Sequence, residues 1–584
     1  MSILGSIFDG GGGAALPFYS ITSTSIADHG NPATSGSVAW AIAQINSKAT
    51  VAERRGIIQI GAGVFNFDTK ITTAANITLV GSGCGVTYLN FNDVDGGIEF
   101  NQGDLYVGSA TYAVGDYVTP STGAWPHAVK FRCTSGGVGS AAATFTTDAT
   151  SNVAVGSTFI SGGCSWLTEA NTPQTFGDFA YEMASGMTGK GILAARNNGF
   201  TCRDLSAFGG SATAWALEVD SCNKFKTGKI DFEIDSNGIL FTIRNPTVTP
   251  YNYGDGSLQG VDITLSAANT VGLKYLGSST SIHKINNISV DRAEIVGSGD
   301  VTDCQVGVWF ENASRNTINH IDIELINVGI MELGDSFGNA NDSQAINEFH
   351  FIPNPGTQTT EAYPYARGVP FQAAGSGSSV PVRENWLNYS AFSAWPGGGG
   401  TYYIADDDGS YNRDVTAVGA PAAGIRTMTL ASAVPSSGTG GLTRYPCIAP
   451  NSNFPSNFSL KAGTSVRSGQ TQLPGDDLMW GQRAAYGFQS LTARCLGYGI
   501  LAFRKIRGTA DGIKINVDTN EISSEATTKP VRVSSLVAGS PLAAAPSTTF
   551  PGMIVQADGV GWNPGSGAGT YLRNAANSAW VFLG

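Results

Sequence analysis

The chain has 584 residues, 76 of them glycine, with 42% hydrophobic and 13% charged residues and a formal net charge of -12. That apolar fraction supplies a core and excludes global disorder. The acidic balance excludes the basic footprint that a nucleic-acid partner or an anionic membrane surface requires, although local cations can still hold an acidic polysaccharide.

Residues 1–36, rich in Gly and Ser, read as an attachment or lead-in segment. The opening MSILGSIFDGGGG has neither a basic region nor a long apolar one, so no signal peptide is expected. No run of about 18 apolar residues follows, so no membrane insertion is expected. SVAWAIAQINSK (37–48) places apolar residues at 38, 41, 42 and 45, the spacing of an amphipathic helix. GIIQIGAGVFNF and NITLVGSGCGVTYLNF then read as short strands with glycine turns. A helix ahead of such strands is how a β-solenoid caps the edge of its first turn.

This succession over 37–103 resembles the opening of pectate-lyase-like right-handed β-helices, a family that includes phage tailspikes and rhamnogalacturonase-type enzymes. Gly61, Ala62 and Gly63 stand where Pro-Ala-Gly is usual, Phe65 stands where Tyr is common, and Asp28, His29 and Gly30 are the remnant of an acidic motif before the helix.

Residues 104–170 interrupt the pattern. Tyr112, Gly115, Asp116, Val118, Cys133 and Trp166 match a small inserted β module common in phage tail proteins, one that also resembles chitin-binding-type carbohydrate modules. Cys133 and Cys164 share this segment and form the pair a disulfide would join. Cys202, Cys222 and Cys304, in or beside apolar strands, are favoured as buried free thiols.

The solenoid resumes over 171–355. ALEVDSCNKFKTGKIDFEIDSNGILF (216–241) and GVWFENASRNTINHIDIELINVGIME (307–332) align without a gap, 91 residues apart, and in both the strand starts are 22 residues apart. Such a period belongs to solenoids, whose turns bury their apolar face only by stacking on neighbours. Strand starts recur at Gly238-Ile239, Gly272-Leu273, Gly307-Val308 and Gly329-Ile330, and the longer steps carry loop insertions, the largest over 244–260. Residues 356–530 read as a β-rich binding or trimerisation region. FPGMIVQADGVGWNPGSGAGTYLRNAANSAWVFLG, within 531–584, resembles a C-terminal tag of phage tail and spike proteins through Gly552, Asp558, Gly559, Trp562, Pro564, Gly565, Gly567, Gly569, Tyr571, Trp580 and Val581.

The expected fold is therefore all-β: a right-handed parallel β-helix with an N-terminal capping helix, an inserted small β module and a β-rich C-terminal region.

Chemistry is sought first among the acidic residues. Asp231, Asp262 and Asp322 each lie between two apolar residues, so strand alternation turns them outward while their neighbours point inward. Stacked in register they would recur at about 4.8 Å per rung. Glu233 and Glu324 follow at i+2 on the same face, and Asp291 and Glu294 belong to the rung between. A row of carboxylates can hold the acid and the nucleophile or base of glycoside cleavage, and crowding of like charge raises the pKa of the acid. An outward Asp also keeps a solenoid soluble and blocks edge pairing; for any single pair that structural role comes first. Arg292 and Arg315 lie near the rungs without matching a lyase motif. No metal or other cofactor is expected. His320 is placed inward or at a corner. Asn286, Asn287, Asn312, Asn316 and Asn319 are assigned to stacked turns. Trp125, Trp309, Trp386, Trp395, Tyr402 and Tyr403 are the candidate sugar platforms.

The resemblance implies a virion spike, a homotrimer made in a bacterial cytoplasm, which docks through an adaptor protein on the tail or capsid and attaches to host capsule or lipopolysaccharide. The alternatives are a depolymerase, hydrolase or lyase, of the same polymer, and a structural fibre or adhesin that recognises a protein.

Overall fold

The computed structural model describes residues 16–353 apart from gaps at 49–52, 74–75, 122–128, 172, 198, 244–252, 278–283, 300–304, 312 and 334–343, then the strands between 363 and 524, and residues 542–546 and 554–583. The chain divides into two units, Met1–Ala526 and Thr527–Gly584.

The first unit is a right-handed parallel β-helix. Each rung contributes one strand to a long sheet, here sheet 1, and one to a second, sheet 2. In sheet 1, Ile230 pairs with Val261, Val261 with Ala293, Ala293 with Ile321 and Ile321 with Phe349. In sheet 2, Ile239, Leu273, Val308 and Ile330 form one column, the four strand starts expected from the sequence. A short third sheet, Tyr253–Gly254, Ile285–Asn286 and Ala313–Ser314, links the two. The aligned segments 216–241 and 307–332 are each one full rung. Their matched turn residues Lys224 and Arg315 share a left-handed backbone, with φ of 55° at both.

The sheets face each other across one continuous core of Ile, Leu, Val and Phe side chains. Glycine makes the closest approach possible. A Cβ on Gly272 would lie 2.8 Å from the Gly307 carbonyl oxygen and 2.8 Å from a methyl of Ile295. Gly238 and Gly307 meet Ile263 and Ile323 in the same way, so a glycine column in sheet 2 receives the isoleucine tips of sheet 1. Further along the core, Phe200, Phe225, Phe241, Tyr275 and Phe310 form a stack of rings.

The capping helix, α1, spans Val38–Asn46. Ser37 starts it by accepting the Trp40 amide at 3.0 Å, and Val38, Ala39, Ala41, Ile42 and Ile45 close the end of the core. Asp28 holds the entry turn, accepting the amides of Gly30 at 2.7 Å and Asp68 at 3.0 Å. His29 is fully buried against Phe65, and burial lowers its pKa. The lead-in assigned to 1–36 is shorter than expected, because Phe18–Ile21 already pairs with Arg55–Ile60 as a strand of sheet 1.

The inserted module has its own core around Tyr106, Phe131, Phe145 and Trp166. It contains a helix the sequence reading lacked, α2 (Ala142–Ser151). Cys133 and Cys164 are both free thiols packed in that core, not a disulfide. Cys202 and Cys222 are buried and free as expected; Cys304 lies outside the described residues.

The solenoid also continues beyond 355. Tyr363–Ala366 extends sheet 2, and Phe458–Leu460 and Ser465–Arg467 extend sheet 1. Between them the chain builds an antiparallel sheet from strands including Gly377–Arg383, Thr401–Asp406, Gly409–Val418 and Ile425–Val434. The loop expected over 244–260 is likewise shorter, because Ser257–Leu265 is a full strand of sheet 1.

Thus the module and the antiparallel region both leave the solenoid at one corner, after a strand of sheet 2 and before sheet 1.

The second unit holds a three-stranded antiparallel sheet, Ile554–Ala557, Gly569–Arg573 and Trp580–Phe582. Its sequence motif is a folding motif. Asp558 accepts the Trp562 amide at 2.9 Å, a bond that lowers the Asp558 pKa, and the Tyr571 hydroxyl donates to the Gly567 carbonyl at 2.8 Å.

Candidate functional site

The outward face of sheet 1 carries three side-chain rows. In the middle row Asp231 stands opposite Asp262, Asp262 opposite Glu294, Glu294 opposite Asp322, and Asp322 opposite His350. Isoleucine, valine and phenylalanine neighbours at 0–3% exposure pin the strands by their inward side, which turns the carboxylates out. One flanking row runs Lys229, Gly260, Arg292, His320; the other runs Glu233, Thr264, Val296, Glu324.

Four of the predicted acids therefore form an unbroken column at about 4.8 Å per rung. Glu233 and Glu324 share the face but are separated by Thr264 and Val296. Asp291 lies off the column, accepting from Asn319 at 3.2 Å, which in turn accepts from Asn347 at 2.7 Å. That amide ladder, with buried Asn316 bonded to Gln344 at 3.0 Å, fits the structural role expected of the turn asparagines. Asn312 lies outside the described residues.

Each carboxylate but one has a cationic or imidazole neighbour on its own strand. Lys229 Nζ lies 3.3 Å from Asp231, Arg292 lies 3.3 Å from Glu294, and His320 Nε2 lies 2.7 Å from Asp322. At Asp262 the corresponding position is Gly260, where even a Cβ would meet nothing within 4 Å. The flanking row therefore has a notch, open to solvent, beside Asp262. The Asp262 pKa is raised, by burial first and then by the charges of Glu294 and Asp231. An arrangement of this kind, one proton-holding carboxyl between two others, offers an acid beside a nucleophile or base.

His320 lies within the strand Thr317–Ile326 and points outward, neither inward nor at a corner as expected, and Nδ1 of His350 reaches the second oxygen of Asp322 at 4.0 Å. His320 aligns with Lys229 in the two repeat copies, the signal that would have placed it. Arg315 occupies a turn away from the rows. Two aromatic residues that the sequence reading passed over stand on this face: Tyr88, 38% exposed, in the row that leads through Ala180 and Ser206 to Asp231, and half-buried Phe208 opposite Glu233. Beside them lies a groove of about 450 Å³ bordered by Asn90, Glu182 and Asp235.

Of the predicted sugar platforms, Trp309 is removed by the structure. It is 0% exposed, with Lys274 Nζ 4.0 Å above its ring. Trp125, Trp386 and Trp395 lie outside the described residues, as do the side chains of Tyr402 and Tyr403, whose backbone belongs to the strand Thr401–Asp406. Among the described residues no group of three His, Cys, Asp or Glu side chains is placed to hold a metal ion, and no helix is long and apolar enough to cross a membrane.

No protein-family model and no curated protein matches this chain. Among solved structures, a likeness was found to the A-module of mannuronan C-5 epimerase AlgE4 from Azotobacter vinelandii. It has 11% identity over 59% of this chain and 90% of that one, with a TM-score of 0.17. At that score the likeness carries no argument about activity, and the β-helix stands on its own strand pairing.

Proposed function

We propose that this protein binds an extended host-surface polysaccharide, capsule or lipopolysaccharide, along the outward face of sheet 1, as the receptor-binding spike of a virion. The observation that carries the binding reading is the register of that face. Carboxylates recur on four successive rungs, each but Asp262 with a cationic or imidazole neighbour on its own strand, and aromatic Tyr88 and Phe208 stand on the same sheet. A linear polymer presents hydroxyls to such acceptors and donors at regular intervals, and its ring faces to the aromatic residues. The virion role, the homotrimer and the adaptor rest on the resemblance of the opening rungs and of the C-terminal tag to phage proteins.

A second reading, cleavage of the bound polymer, is favoured by one feature: the raised Asp262 carboxyl at the Gly260 notch. Asp262 would act as general acid, with Asp231 or Glu294 as nucleophile or base. Neighbouring rungs, about 4.8 Å apart, approach the roughly 5–5.5 Å of retaining glycosidases.

The test is incubation of the purified chain with capsular polysaccharide, following retention and polymer length together. Retention with unchanged length supports the adhesin. Shortened chains with new reducing ends support hydrolysis, and Asp262→Asn then lowers the rate about 10²–10⁴-fold while retention persists. New unsaturated ends point to a lyase. A panel of capsules and lipopolysaccharides that are neither retained nor cut sinks the proposal.

A further inference from the structure

The joint between the inserted module and the solenoid forms a cleft of about 390 Å³ open to solvent on one side, at the small end of the range that holds organic ligands. It is lined from both sides. Asn46, at the end of α1, and Asn101, from a strand of sheet 2, come from the solenoid; Asp104, Asp116, Tyr117 and Arg132 come from the module.

Four features of this lining suit a ligand. The Asn46 side-chain oxygen is buried and accepts no hydrogen bond, a state that costs free energy unless something fills it. Arg132 lies between Phe131 and Cys133, both 0% exposed in the module core, so its own side chain turns to the opposite face, toward the cleft. Among the described residues it has no hydrogen bond or ion pair. Asp104, a largely exposed carboxylate at the rim, accepts from Asn101 at 2.8 Å and lies 3.8 Å from Arg196 through the same oxygen, and Asp116 accepts the Ala113 amide at 2.8 Å. Tyr117, opposite Arg132 in register, presents a ring backed by Lys130 at 4.8 Å.

We infer that this cleft binds one carboxylated sugar ring, a uronic acid residue. The Arg132 guanidinium takes the carboxylate in a bidentate pair. Asp104, Asp116 and the Asn46 oxygen accept hydroxyl protons, and the Tyr117 ring covers an apolar face of the sugar. A phosphate would set its double charge against two carboxylates, and a metal cation would meet the unpaired guanidinium. A monoanionic polyol satisfies every group. The inference deepens the polysaccharide reading by naming an acidic sugar, and depends on that reading only for its biological role.

The test is calorimetric titration of the full chain with glucuronate and, separately, glucose. Glucuronate is expected to bind with glucose at least roughly tenfold weaker, because a hydrogen bond to a charged group is worth that much. Arg132→Gln should bring glucuronate down to the level of glucose, and Asn46→Leu should weaken both. Equal binding of the two sugars, or no saturable binding of either, overturns the inference. So does glucuronate binding that survives Arg132→Gln but is lost in the double variant Lys229→Gln/Arg292→Gln, which would put the sugar on sheet 1. Polymer retention lost through those sheet 1 changes while glucuronate binding persists, or the reverse, tells the failure of one reading from that of the other.

Discussion

Sheets 1 and 2 alternate inward and outward residues with the same period, yet their outward charges meet opposite fates. On sheet 1, Lys229 and Asp231 are 61% and 46% exposed. On sheet 2, the Lys274–Glu311 pair, 3.1 Å apart, is 3% and 1% exposed and lies against Trp309. Glu218, bonded to Lys190 at 3.0 Å, is equally buried. Alternation fixes which way a side chain points; what later packs over it decides whether it meets water. Burial lowers the Lys274 pKa, and the Glu311 charge opposes that shift. A charge pair in such a place is held by its partner rather than by solvent.

The contrast can be broken by substitution. Glu311→Ala leaves the Lys274 ammonium buried without its carboxylate and should cost about 3–5 kcal/mol, read as a fall in the denaturation midpoint of the first unit. A loss no larger than that of Lys229→Ala, about 0–1 kcal/mol for an exposed pair, would show the two faces to be equivalent. Gly272→Ala drives a methyl into the Gly307 carbonyl and the tip of Ile295, and should cost about 1–3 kcal/mol; an unchanged midpoint would mean that the glycine column has slack. The smallest effect concerns Asp262. Its folded pKa lies above the unfolded value near 3.8, so above that pH the folded state keeps the proton longer and stability falls as pH rises. Asp262→Asn should thus stabilise the chain at pH 7 and give no gain at pH 3. A gain at pH 3 alone would reverse the assignment.

Much of this architecture is legible in the sequence. Gly238, Gly272 and Gly307 mark strand starts because only glycine tolerates a facing backbone there. The Ile-Asp motif marks the outward column because alternation is obligatory in a strand. Other features escape for definite reasons. Helix α2, AATFTTDATS, has only Phe145, Thr146 and Ala149 buried, and its Thr146 and Thr150 hydroxyls bond to carbonyls four residues back; a threonine-rich segment with so narrow an apolar stripe reads as loop. The rung that opens at Tyr363 returns to sheet 1 at Phe458, so no local period bridges it. The burial of Trp309 depends on what packs across sheet 2, which no strand pattern encodes. The Gly260 notch is visible only when Gly260 is set between Lys229 and Arg292, and that needs the rung register.

The shared corner has a further consequence. Excursions there include the module between Asn101 and Thr175 and the stretch between Ala366 and Phe458, yet the strands on either side keep their pairing. Length and content at that seam are thus uncoupled from the geometry of sheet 1. Variation can graft, trim or exchange whole modules at one line along the solenoid while the row of carboxylates stays in step, so the module and the face of sheet 1 can change independently.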